Sequence, residues 1–223
     1  MTQSIPSAKR SVFITGGTGY LGGALIPRLV ERGHTVRALV RPGSEKKLPP
    51  NCQPIAGDAL RKESFAGHIA PADTFIQLVG VPHPSPAKAK LFREIDLVSA
   101  LAGIAAAKDA GIRHFIYVSV AQPAPMMKAY QAVRAEAEAA LHATGLPATI
   151  LRPWYILGPG HWWPYFLLPG YWLCECLPPT REAARRLGLV TLRQMIDALV
   201  RAVEQPAQGV VVVEVPSIRR SER

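Results

Sequence analysis

Thr15-Gly16-Gly17-Thr18-Gly19-Tyr20-Leu21-Gly22-Gly23 is the stretch that decides the fold. It follows an apolar, β-branched run, Ser11 to Thr15, and opens a helix-like pattern from Tyr20 to Arg32 that Gly33 closes. Gly16, Gly19 and Gly22 stand three apart at this strand-to-helix turn. Gly16 allows the tight turn, Gly19 lets the backbone approach a pyrophosphate, and Gly22 lets the helix pack closely on the strand. The helix N-terminus then offers free N–H groups and a positive dipole end to phosphates. Strand and helix patterns on both sides separate this arrangement from a mere tight turn.

Outward from the turn, short β-branched runs alternate with longer helical patterns. Strands are expected at Thr35 to Val40, Cys52 to Ala56, Asp73 to Val79, His114 to Val118 and Ala148 to Leu151. Helices are expected over 87–110 and 127–144. This alternation implies right-handed crossovers and an α/β fold with a doubly wound parallel sheet. Thr191-Leu192-Arg193-Gln194 reads as a capping box opening a further helix through Val203. Val210 to Val215 reads as a last strand, and its continuous apolar run suits burial on both faces. One domain over 1–223 is expected, with a core over 10–152, a substrate cap over 153–190 and a closing helix and strand over 191–216.

Apolar residues make up 48% and charged residues 19% of the 223, which excludes a disordered polyelectrolyte. The net charge of +10 invites a nucleic-acid reading. The excess is spread along both halves, with no basic run longer than a pair, so a solvated basic surface or a small-anion site fits better and no nucleic-acid partner is expected. Cys52, Cys174 and Cys176 lack the spacing of a zinc site and suit a reduced, cytoplasmic protein; no metal is expected. Met1 to Arg10 has no apolar core of a secretory signal. Trp162 to Cys174 is too short and too proline-broken to span a bilayer, so no integral membrane segment is expected.

The glycine turn, with VRALVR (36–41), Gly57-Asp58, Val79-Gly80, HFIYVS (114–119) and LRPWYILGPG (151–160), resembles the short-chain dehydrogenase/reductase superfamily. Its spacing is GxxGxxG, and the likeness over about 10–160 is to the extended and atypical branches, most of all to the NmrA-like group and relatives of the complex I accessory subunit. The resemblance implies a Rossmann fold and an NAD(P) site. That site would involve Gly16, Thr18, Gly19, Tyr20, Leu21, Gly22, Asp58, Ala59, Val79, Gly80, Ser119, Tyr130 and Pro153. Asp58 would face the adenine amino group, and Gly80 would let the chain pass close to the ribose.

The cofactor's identity turns on the end of the second strand. No acid stands between Glu31 and Glu45, whereas Arg41 lies 19 residues after Gly22. A carboxylate would repel a 2′-phosphate and a guanidinium binds it bidentately, so NADP(H) is expected over NAD(H). Arg37 is the second candidate, with strand alternation directing it toward solvent.

The family's active site pairs a serine after the fifth strand with Tyr-x-x-x-Lys on the next helix. Ser119 and Tyr130 match; Arg134 stands at the lysine position. An i, i+4 pair shares a helix face, so the cation would sit beside the phenol and the cofactor ribose. Ser119 would hydrogen-bond a carbonyl oxygen and Tyr130 would exchange its proton. Arginine supplies charge but relays no proton, which leaves a catalytic role for Tyr130 set against a ribose contact or packing. Lys128 points to another side of the helix. His83 and His161 are loop histidines near the expected mouth of the site.

Eight of the sixteen aromatic residues fall between Trp154 and Trp172. They suit a flat apolar substrate such as a quinone, or equally packing or a homodimer contact. The leading expectation is therefore an NADP(H)-binding atypical reductase of a small carbonyl or quinone-like substrate. The rivals are an NADP(H) sensor without turnover, favoured by Arg134, and a nucleotide-sugar epimerase or dehydratase, for which the chain after the sixth strand is short and apolar.

Overall fold

The computed structural model describes residues 8–160 and 168–220. The central element is β1 (Ser11–Thr15), whose Val12, Phe13 and Ile14 are fully buried. β-Branched and aromatic residues fit a pleated surface covered on both sides, which is where these three stand. β1 is flanked by β2 (Thr35–Val40) and β4 (Thr74–Gln77), and the parallel sheet runs β3-β2-β1-β4-β5-β6-β9. The other strands are β3 (Gln53–Ala56), β5 (His114–Val118), β6 (Ala148–Arg152) and β9 (Val210–Glu214). Parallel register places Phe13, Phe75 and Phe115 side by side on one face. Their rings stack with centroids 5.4 and 5.1 Å apart, an aromatic ladder across the three central strands.

Two apolar cores sandwich the sheet. One joins it to α1 (Tyr20–Glu31) and α7 (Leu192–Glu204). The other joins it to α3 (Val98–Asp109) and α4 (Lys128–Thr144). α7 opens on the expected capping box: the Thr191 hydroxyl accepts from Gln194 N–H at 3.1 Å, and Gln194 Oε1 accepts from Thr191 N–H at 2.9 Å.

Three expectations need correction. The helix expected over 87–110 is a short α2 (Ala89–Leu91), a π-helical stretch Phe92–Leu97, and then α3. The wider turns of the π stretch bring Phe92, Asp96 and Leu97 inward together. The strand expected over Asp73 to Val79 is four residues: Leu78 N–H makes a last bond to the Thr15 carbonyl at 3.1 Å, and the chain then turns away along the edge of a cleft. β9 is not buried on both faces: Val211 and Val212 are 48% and 37% exposed. It is an edge strand with one hydrogen-bonded neighbour, β6, so half of what covers an inner strand is missing.

Between β6 and α7 the chain builds β7 (Tyr155–Leu157), α5 (Leu168–Cys176), α6 (Arg181–Arg186) and β8 (Leu189–Thr191). β7 and β8 pair in parallel as a separate two-stranded sheet. α8 (Val215–Arg219) follows β9.

Candidate functional site

β1 and β4 are adjacent, but the chain leaves them in opposite directions along the sheet. The connections above their C-terminal ends therefore part, and a crevice opens there. It has a volume of about 610 Å³ and is lined at one end by Gly16, Gly19, Tyr20, Leu21 and Gly22. Gly80, Ser119, Tyr130 and Arg134 line its other side, and Pro153, Trp154, Tyr155 and Ile156 form a wall.

The glycine end is built from missing side chains. Gly16 has φ 77°, and a Cβ there would stand 2.9 Å from the Leu78 carbonyl carbon. A Cβ on Gly22 would stand 2.4 Å from the Gly16 oxygen and 2.6 Å from the Gly17 Cα. Gly19 is the N-cap of α1, with its N–H on the Gly16 carbonyl at 3.0 Å. No side chain caps this helix and no acid stands in its first turn. The helix end thus keeps its N–H donors and its dipole for an anion in the crevice, which fits a dinucleotide pyrophosphate.

Thr18 is exposed on the same turn. Arg41 is exposed directly after β2, outside the crevice lining. The Gly57 N–H bonds the Val40 carbonyl at 2.9 Å, which sets the ends of β3 and β2 side by side and brings Asp58 and Ala59 to the same edge. Asp58 Oδ1 is engaged locally, accepting from Leu60 N–H at 3.0 Å. Val79 lies between two lining residues, Leu78 and Gly80. Arg37 does not point to solvent. It is buried, and its guanidinium donates to the His68 carbonyl at 2.8 Å and to the Ile69 carbonyl. A side chain committed to two carbonyls is a poor candidate for a 2′-phosphate.

The other side of the crevice is built from buried charge. Tyr130, Arg134 and Glu138 follow at four-residue intervals on α4 and so share one face. The half-buried Tyr130 ring lies between the Phe92 ring, 4.9 Å away, and the Arg134 guanidinium, 4.9 Å from its centroid. Arg134 donates to the Asp96 carboxylate, to the Val118 carbonyl at 3.0 Å and to the Tyr117 hydroxyl at 3.3 Å. Asp96, fully buried, also accepts from Val81 N–H at 3.0 Å. Burial pushes its carboxyl above the usual range, opposed first by Arg134. Burial works against the Arg134 charge too, but Tyr130, Tyr117 and Asp96 outweigh it and the guanidinium is held above its ordinary value. Gly80 has a local reason: a Cβ there would stand 2.6 Å from Arg134 Nη2. The cation at the lysine position is therefore fastened to the π-helical stretch and to the loop after β4.

Ser119 is buried, and its hydroxyl donates to Glu138. Glu138 is also buried and accepts from Gln122 Nε2 at 3.1 Å and from Arg152 Nε at 3.1 Å. Arg152 continues the chain to Glu214 at 3.1 Å. With its one proton directed to Glu138, Ser119 presents an acceptor to the crevice, and Tyr130 is left as the hydroxyl donor. Sequence reasoning missed both Asp96 and Glu138. Their only signals were an acid between Ile95 and Leu97 and an acid two turns past Tyr130.

His83 lines the crevice with φ 48°, on a loop whose Pro82 and His83 carbonyls accept from Lys88 Nζ at 2.6 and 2.9 Å. Of the aromatic cluster, Trp154 and Tyr155 line the crevice, and Tyr171 and Trp172 lie in α5. His161, Trp162, Trp163, Tyr165 and Phe166 fall outside the described residues.

Known proteins agree with this architecture. A ketoreductase of Stigmatella aurantiaca acting on 4-hydroxy-2-methyl-3-oxo-4-farnesyl-3,4-dihydroquinoline-1-oxide is 29% identical over 66% of this chain and 50% of its own. The ceramide reductase of Caulobacter vibrioides is 27% identical over 96% of this chain and 66% of its own. The chain thus spans half to two thirds of the length of these curated relatives. Among solved structures, the Bordetella bronchiseptica enzyme WbmH in complex with NAD+ superposes with a TM-score of 0.70 at 20% identity, covering 93% of this chain and 76% of that one. UDP-glucuronic acid 4-epimerase from Bacillus cereus in complex with NAD gives 0.66 at 17%, covering 92% and 77%. These two likenesses concern the fold. The family described as NAD(P)H-binding matches residues 16–159, from the first glycine of the turn to the loop after β7. With the glycine cradle and the parallel sheet already in place, that match makes the chain a member of the NAD(P)H-binding family, on the atypical side of the short-chain dehydrogenase/reductase superfamily.

Proposed function

We propose that the protein is an NADP(H)-dependent reductase of an apolar, flat or lipid-like carbonyl compound. The observation that carries this reading is one crevice holding a phosphate cradle at one end and the Tyr130 and Ser119 hydroxyls at the other. Its wall of Pro82, Pro84, Pro153, Trp154 and Ile156 suits an apolar substrate. The relatives named for a farnesylated ketone and for ceramide support the same class.

NADPH, when bound, would supply the hydride. The cradle at Gly16 to Gly22 would hold the pyrophosphate, and Arg41 would meet the 2′-phosphate beyond β2. Tyr130 would donate its proton to the carbonyl oxygen as charge develops there. Arg134 would keep a fixed positive charge beside the ring that has given up the proton. Ser119, held by Glu138, would accept from a neighbouring donor and so orient the group it meets. Arg134 relays no proton, so the half-exposed phenol would be reprotonated from solvent.

One observation favours a second reading, an NADP(H) sensor without turnover. The cation at position 134 is committed to Asp96. Titration with NADPH and NADH, followed by a screen of carbonyl and quinone substrates, separates the two. Tight NADPH binding with oxidation by an apolar ketone or quinone is expected. Arg41→Glu is expected to lower the NADPH-to-NADH affinity ratio by about tenfold or more, as removal of a charge-assisted contact would. Binding without oxidation across the screen selects the sensor, and binding of neither cofactor removes both readings.

A further inference from the structure

We propose that the face formed by α5, α6 and the loop before α4 docks on an anionic lipid surface. Leu173, Leu177, Arg181 and Arg185 follow at four-residue intervals. Leu177 N–H bonds the Leu173 carbonyl at 3.3 Å, and Arg181 N–H bonds the Leu177 carbonyl at 3.0 Å. Leu173 and Leu177 thus stand one turn apart at the end of α5, Arg181 and Arg185 stand one turn apart on α6, and the Arg181-to-Leu177 bond joins the two pairs across Pro178 and Pro179. Leu173 is 63% and Leu177 47% exposed, and Arg181 and Arg185 are exposed beside them. Arg186 Nε donates to the Pro123 carbonyl at 3.2 Å, which holds the loop before α4 against α6. That loop carries Met126, 62% exposed, and leads to the exposed Lys128.

Three large apolar side chains thus stand in water among four cations, with Glu182 the exposed acid of α6. A solvated basic face has no use for protruding leucines, and a packing face would have buried them. A nucleic-acid backbone matches the guanidinium groups but offers no apolar layer for Leu173, Leu177 and Met126. A bilayer interface offers both: anionic headgroups for the cations and an acyl boundary for the leucines. The net charge of +10 adds long-range attraction to such a surface. Along the chain α6 leads into β8, and β8 pairs with β7, which carries the crevice residues Tyr155 and Ile156. This inference goes beyond the reductase reading and does not depend on it.

Sedimentation of the whole protein with phosphatidylcholine vesicles, with and without about 30% phosphatidylglycerol, tests it. Retention on the anionic vesicles is expected to exceed that on the neutral ones by about tenfold in low salt, and to fall in high salt as the cations are screened. Leu177→Asp and the pair Arg185→Glu and Arg186→Glu are each expected to lower retention by about tenfold, whereas Lys90→Glu, on α2, leaves it unchanged. Equal retention on both vesicles, or none on either, overturns the proposal, and this comparison needs no variant to fold. Retention unaffected by the variants also overturns it, as does preferential capture by duplex DNA that Leu177→Asp leaves intact. NADPH titration of the same samples keeps the two readings apart: lost cofactor binding with intact vesicle binding counts against the reductase alone.

Discussion

The two ends of the crevice are made in opposite ways. At the cradle, the sequence withholds side chains: Gly16 and Gly22 leave room that backbone atoms of Leu78, Gly16 and Gly17 occupy. At the hydroxyl end it inserts charge: Asp96, Arg134 and Glu138 are buried where apolar side chains would have packed without desolvation cost. The first end is encoded by glycines a few residues apart, which pack on one another and, at Gly16, on the Leu78 backbone after β4. The second depends on partners 38 and 19 residues apart in the chain, Asp96 with Arg134 and Ser119 with Glu138. An absence of side chains tolerates little addition, and a buried pair tolerates little subtraction.

The largest effect is expected from subtraction. Asp96→Ala leaves the Arg134 guanidinium buried without its carboxylate and the Val81 N–H without its acceptor, and is expected to cost about 4 kcal/mol in urea unfolding. A loss under about 1 kcal/mol would mean that the pair is dispensable and that the contrast between the ends is wrong. Addition comes next. Gly22→Ala sets a methyl group on the Gly16 oxygen and is expected to cost about 3 kcal/mol and to abolish NADPH binding. Its neighbour supplies the control, since a Cβ on Gly23 meets nothing within 4 Å.

The end of the strands away from the crevice sharpens the comparison through pH. His114, buried at the start of β5 with Nε2 on Thr149 Oγ1 at 2.9 Å, is pushed down to about 4 by burial and then by Arg10. The unfolded chain binds its proton more readily, so this contribution is full above about pH 6.5 and is lost as pH falls toward 4. About 3 kcal/mol is at stake. Thermal melts across that window are expected to show His114→Asn with a flatter profile than the parent. An equal slope in both would move the acid sensitivity to the buried charges of the crevice. The smallest effect is the control itself: Gly23→Ala is expected to change stability by about half a kcal/mol, in the stabilising direction, because alanine is the better helix former.

The contrast also explains what could be read from the sequence. A cradle of glycines is a local device, and local devices leave spaced signatures: the turn, the strand before it, the helix after it and the Thr191 capping box could all be read directly. Arg37 could not, because strand alternation says which face a residue takes but not which carbonyls wait there; His68 and Ile69 lie at the end of a 3-10 turn about thirty residues on. Asp96 gave no helical signal because the π stretch shifts the register that periodicity assumes. The apolar run at Val210 was legible as a strand, but its place at the edge of the sheet depends on which elements come to neighbour it, and composition does not carry that. Ser119 and Tyr130 were singled out by resemblance, and the carboxylate behind Ser119 was not.

α4 carries a phenol, a guanidinium and a carboxylate at equal intervals, and each meets a different partner: Phe92 and Asp96 on the π-helical stretch for the first two, and Ser119 after β5 for the third. The helix therefore behaves as a ruler with three marks. One residue inserted before Tyr130 would shift all the marks together. One inserted between Tyr130 and Glu138 would turn the later marks by about 100° and take them off their partners at once. Deletion or insertion of a whole turn there would keep the direction but change the spacing by about 5 Å, enough to strand Ser119. In a lineage carrying this helix, gaps in the chain are thus expected before or after these nine residues, and substitutions within them.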